Sequence, residues 1–117
     1  MTNSKQYDLE ERTLKFAEAV RDFVKELPRN FLNRDYIVQL IRASSSVGAN
    51  YIEANEALSR KDFVHRIKIC RKEAKESRYW LNLIEVQDKN LLLEQEALRQ
   101  EATELTMIFS SIMRKSR

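Results

Sequence analysis

The stretch SRKDFVHRIKICRKEAKESRYWLNLI, residues 59–84, decides the fold. Ser59 followed three residues later by Asp62 is a variant of the capping box that opens a helix. Phe63, Ile67, Cys70, Ala74, Ser77, Leu81 and Ile84 then recur at steps of three and four, the apolar stripe of an amphipathic helix. At about 100° per residue from Phe63, the cations Arg60, Lys61, Lys68, Arg71, Lys72, Lys75 and Arg78 share one sector, between about 60° and 180°. Asp62, Ile69, Glu73, Glu76 and Trp80 share the opposite flank, between about 220° and 280°. One helix thus carries a core face, a basic face and a mixed face.

The same period extends in both directions. Leu9, Thr13, Phe16, Val20, Phe23, Val24 and Leu27 predict a first helix from about Asp8 to Leu27, ended by Pro28, which cannot continue it. A second helix is expected from Arg34 to Ala57, with Asn33 as its N-cap and Asp35 in its first turn. Its stripe Tyr36, Leu40, Val47, Tyr51 and Ala54 is flanked by Ile37, Ile41, Ser44, Gly48 and Ile52, a sector wider than one core contact needs. Two readings stand for this width: a tightly packed central helix, or one that also meets another subunit. After the polar turn VQDKN, residues 86–90, Leu91, Leu98, Ala102, Leu105, Phe109 and Ile112 predict a fourth helix.

Four helices with short connections imply an all-α, up-down-up-down four-helix bundle formed by one domain over residues 1–117. Composition agrees: among 117 residues there is one Gly and one Pro, too few turn residues for a β-rich fold. Charged residues at 33% beside hydrophobic ones at 43% suit helices that are apolar on one stripe only. The single cysteine, Cys70, allows no intramolecular disulfide, which fits a reducing compartment. MTNSKQYDLEER at the start has no apolar signal region, and no apolar run reaches the roughly 18 residues of a membrane span. A cytoplasmic protein without membrane attachment is expected.

Chemistry is sparse. Di-metal bundles need Glu-x-x-His motifs facing inward, yet the lone histidine, His65, lies off the core stripe with Asp62. Glu53-x-x-Glu56 and Glu73-x-x-Glu76 fall mainly on polar sectors, so no metal site or cofactor is expected. Cys70 reads as a small core residue with an inert thiol. Ser44, Ser45 and Ser46 have no base beside them in the pattern, and no Gly-rich phosphate loop occurs. No catalytic residue is expected.

What remains is charge. Between Arg60 and Arg78 Lys and Arg outnumber Asp and Glu by eight to three, which concentrates the net basicity there. Lys68, Arg71, Lys72, Lys75 and Arg78 form a stripe able to follow a phosphate backbone, the alternative being a solvated face. Ile69 and Trp80, aligned off the core stripe, read either as an oligomer interface or as residues covered by the bundle itself.

DLEERTLKFA (8–17), LP (27–28), QLIRASSSVGANYIEA (39–54), SRKDF (59–63) and KEAKESRYWLNLI (72–84) together resemble the bacterial four-helix bundle protein family. That family includes proteins encoded in intervening sequences of large-subunit ribosomal RNA genes, and it is similar to the accessory variability proteins of diversity-generating retroelements. The resemblance implies a homopentamer with a central pore, no enzymatic activity, and a basic surface that in the retroelement relatives binds nucleic acid and a reverse transcriptase. Family-pattern positions here are Arg42, Ser46, Asn50 and Glu53 on the second helix and Glu76, Tyr79 and Trp80 on the third. The first four share one polar face, which reads equally as a structural polar network or a binding site. The leading expectation is an oligomer that presents basic helices to RNA or DNA. The alternative is a structural or protein-interaction module whose partner is an acidic protein.

Overall fold

The computed structural model describes residues 4–116, with side chains from Leu9 onward. Helices α1 (Ser4–Glu26), α2 (Phe31–Asn55), α3 (Arg60–Leu83) and α4 (Lys89–Lys115) follow one another with connections of four or five residues. Each packs on its neighbours in sequence, and α1 closes the ring against α4, which is the four-helix bundle that the periodicity predicts. Contact is most extensive between α2 and α3 and thinnest between α1 and α4. Residues 1–3 and 117 of the expected domain lie outside the described residues.

Local chemistry sets the helix starts. Ser59 accepts the Asp62 amide at 3.1 Å, and Asp88 accepts the Leu91 amide at 3.0 Å, so α3 and α4 begin at side-chain caps. For α2 the expected cap is wrong. Asn30, in extended backbone, accepts the Asn33 amide at 2.9 Å, and the helix begins at Phe31. Asn33 lies a turn inside and is fully buried. Its amide donates to the Glu85 carbonyl at 2.9 Å and accepts the Glu85 N–H at 3.0 Å. The start of α2 is thereby tied to the α3–α4 connection, a partnership 52 residues distant that no local pattern displays.

The core joins Phe16, Val20 and Phe23 of α1, Leu40 and Val47 of α2, Ile67 and Leu81 of α3, and Leu105 and Phe109 of α4. These belong to the expected stripes, with two adjustments. Val24, Tyr36, Phe63, Leu91 and Ile112 are only partly buried, and Met113 takes the last core position of α4. Gln95 is also buried, one turn before Leu98, because its amide donates to the carbonyls of Leu81 (2.7 Å) and Ile84 (2.9 Å) and closes the end of α3. The close pairing of α1 with α2 requires Gly48: a Cβ there would stand 3.0 Å from Thr13 Oγ1, whose hydroxyl is fixed by bonds to the Leu9 and Glu10 carbonyls.

Candidate nucleic-acid interface

Because the core stripe of α3 faces inward, its basic sector faces out between α2 and α4. Lys68, Lys72, Lys75 and Arg78 are exposed, and Arg71 is half-buried. Among the described residues none of the five pairs with a carboxylate. The acids of α1 that might have neutralised them look elsewhere: Glu11 pairs with Lys15, and Asp22 with Arg21. The stripe therefore stays an uncompensated row of cations, the arrangement that gains most from meeting phosphates.

On the opposite flank of α3, Glu73 and Glu76 are turned to α2. Arg42 of α2 stands 3.6 Å from both Glu73 and Glu76. Ser46 donates to the Arg42 carbonyl at 2.8 Å, Asn50 donates to the Ser46 carbonyl at 2.9 Å, and Arg66 donates to Asn50 Oδ1 at 3.0 Å. Arg42, Ser46 and Asn50 thus form one chain of contacts across the α2–α3 seam, while Glu53 is exposed further along. Glu73 is buried, against its expected polar placement, since the seam lies over it. Its Oε1 has no hydrogen-bond partner, so the Arg42 charge is what offsets its desolvation.

Of the residues expected at an oligomer contact, Ile69 and Trp80 are each half-buried in the single chain. Trp80 packs on the core and stacks on Tyr36, ring centroids 6.2 Å apart at 26°. Tyr79 makes a near-perpendicular contact with Trp80 at 5.1 Å and is the member of the pair turned to solvent, 58% exposed. In the sequence the tryptophan stands off the core stripe, while Tyr79 stands out only as a family-pattern position. The overlooked signal is spacing: Tyr79 follows Lys75 by four residues and Lys72 by seven, so it continues the lysine row.

Elsewhere the side chains offer little chemistry. Cys70 is fully buried and its thiol lies 3.4 Å from the Val47 carbonyl; burial pushes its pKa up to about 12. His65 and Asp62 are both exposed. Among the described residues no three His, Cys, Asp or Glu side chains gather as a metal site would need, and no helix is long and apolar enough to cross a membrane.

Comparison with known proteins fits this architecture. A crystal structure of a protein with unknown function from the S23 ribosomal protein family of Bacteroides thetaiotaomicron VPI-5482 is similar at 30% identity and a TM-score of 0.77. The similarity covers 94% of this chain and 98% of that one. No curated protein matches the sequence. The family model described as 23S rRNA-intervening sequence protein matches residues 5–111, which takes in α2 and α3 whole and all but the outer ends of α1 and α4. With its bundle, its α2–α3 seam and its basic third helix in view, the chain belongs to the 23S rRNA-intervening sequence protein family.

Proposed function

We propose that this protein is a non-catalytic bundle that self-associates, as a homopentamer, and presents α3 to RNA or DNA. The observation that carries the nucleic-acid reading is the row Lys68, Lys72 and Lys75, exposed and without a carboxylate partner among the described residues. Helix-borne lysines spaced along one face meet phosphates and not base edges, so binding is salt-dependent and largely indifferent to sequence. Symmetric repetition of the row around an assembly lets weak contacts act together.

Self-association is supported by apolar surface on α1 and α2. Leu14, Val38, Ile41 and Ile52 are 45–60% exposed, and Leu14 and Ile41 line a groove of about 400 Å³ between the helices. Ile41 and Ile52 belong to the part of α2 that exceeds what one core contact needs, and Ile69 and Trp80 remain candidates at the edge of such a contact.

The test is the variant Lys68→Glu, Lys72→Glu, Lys75→Glu, with its mass measured by light scattering. Binding to every RNA and DNA tried is expected to weaken, and the slope of log K against log salt to flatten by roughly 0.7–0.9 per lost phosphate contact. Unchanged binding with the assembly intact would reduce the row to a solvated face. Nucleic-acid binding that is absent in the wild type, beside an acidic protein ligand that the variant loses, would assign the row to a protein partner. A monomer at micromolar concentration would remove the oligomer.

A further inference from the structure

The lysine row does not end in solvent; it runs into a groove. Between α3 and α4 a cleft of about 320 Å³ is lined by Lys75, Arg78, Tyr79, Asn82, Thr103 and Met107. Its volume is at the lower end of the range for small-molecule pockets, roughly 300–1,000 Å³. Tyr79 and Met107 are 58% and 64% exposed there, beside two cations. The tyrosine ring is braced from behind: it meets Trp80 at 77°, and Trp80 is itself stacked on Tyr36. A ring held by its own bundle loses little freedom when something stacks on it. Thr103 donates its hydroxyl hydrogen to the Arg99 carbonyl at 3.0 Å, which leaves its oxygen an acceptor toward the cleft.

We infer that this cleft is a nucleotide subsite for single-stranded nucleic acid, in which Tyr79 stacks an unpaired base while Lys75 and Arg78 hold the flanking phosphates. The inference rests on the reading of the lysine row as a phosphate track and adds the state of the strand. A duplex keeps its bases stacked inside, so an exposed ring among the lysines finds no π-face on it. A single strand offers a π-face at every nucleotide, and stacking on an aromatic side chain accepts any base. Aromatic platform, adjoining cations and a recess between them are the parts of a single-strand site, here supplied by one helix and the wall of its neighbour. RNA and DNA single strands share this chemistry.

The experiment measures binding of full-length protein to a labelled 12-nucleotide oligo(U), the matching oligo(dT), a 12-base-pair duplex and polyglutamate, at one salt concentration. Tyr79→Ala is expected to weaken binding to both single strands by roughly 5- to 100-fold, with duplex binding unchanged and Tyr79→Phe close to wild type. Loss on oligo(U) alone assigns the cleft to RNA, and loss on oligo(dT) alone to DNA; either supports the subsite. Trp80, the single tryptophan of the chain, reports the same event: its emission changes with the single strands and not with the duplex. Single-strand affinity unaffected by Tyr79→Ala, in a protein whose triple lysine variant no longer binds, overturns the subsite and leaves the phosphate track standing. Binding unaffected by the triple variant overturns the track, and the subsite with it. An equal loss on the duplex, or a loss of polyglutamate binding as large as that of oligo(U), overturns the single-strand assignment.

Discussion

Arg12 of α1 holds Glu101 of α4 by two parallel hydrogen bonds, Nε to Oε2 and Nη2 to Oε1, each 2.7 Å long. Nη2 also reaches Glu104 at 2.8 Å. The fork sits where the bundle is thinnest, between its first and last helices, and the bond to Glu101 pushes the Arg12 pKa above its usual value. Roughly a third of each side chain of the Arg12–Glu101 pair is exposed, so screening limits its worth to about 1 kcal/mol. Arg12→Ala should cost that much in urea denaturation. Arg12→Lys should recover less than half of it, because an ammonium cannot span both carboxylate oxygens. Equal stability of the lysine variant and the wild type would show that only charge matters there.

Gly48→Ala sets two effects against each other. Alanine gains about 1 kcal/mol in helix propensity. The new methyl meets a Thr13 side chain that is buried and doubly bonded to its own helix, so it cannot retreat, and overpacking of this kind costs about 1–3 kcal/mol. A net loss of about 1 kcal/mol is expected. In the background Thr13→Ala, which removes the obstructing oxygen but keeps the Cβ 3.3 Å from the new methyl, the same substitution should cost less. Additive effects of the two changes would mean the helices part freely at this point.

Trp80→Ala removes an in-chain stack on Tyr36 and, if the proposed contact is correct, a piece of an intersubunit surface. The two contributions differ in their dependence on concentration. Denaturation over a hundredfold range of protein concentration should show a constant loss of about 2–3 kcal/mol, less than for a fully buried tryptophan, from the stack. The further loss, from assembly, should vary with concentration and be accompanied by smaller species in sedimentation. Unchanged assembly mass would place Trp80 wholly within its own bundle.

Burial of Cys70 makes alkaline stability testable. Its folded pKa of about 12 lies above the 9.0 of a solvated thiol, so below pH 9 both states keep the proton and the thiol contributes no pH dependence. Between pH 9 and 12 the unfolded chain releases the proton and the folded one does not, which lowers stability on the order of 1 kcal/mol per pH unit. Cys70→Ala should lack this slope, so the difference between the two proteins should shrink as pH rises through that window. Parallel curves would show that the thiol ionises equally in both states. At pH 8 the native thiol should resist alkylation until the protein unfolds.

What the chain determines by itself is whatever depends on near neighbours in sequence. The period of Phe16, Val20 and Phe23, or of Ile67, Cys70 and Ala74, is a local property, and so are the caps at Ser59 and Asp88; four helices and their inward faces follow from these. The azimuth of Lys68, Lys72 and Lys75 is local too, which is why the basic row was legible. Only the packed bundle decides which polar residues are taken inside. Asn33 looks like a cap until Glu85 is brought against it, Glu73 looks like a surface acid until α2 covers it, and Gln95, a polar residue on the apolar side of α4, finds its partners only at the end of α3. The same holds for the Tyr79–Trp80 pair: adjacent residues differ by about 100° in azimuth, and the position of Tyr36 on another helix settles which ring is covered and which is left to the solvent. A buried polar group must find a partner, and that partner lies wherever the fold places it, at a distance along the chain that no periodicity encodes.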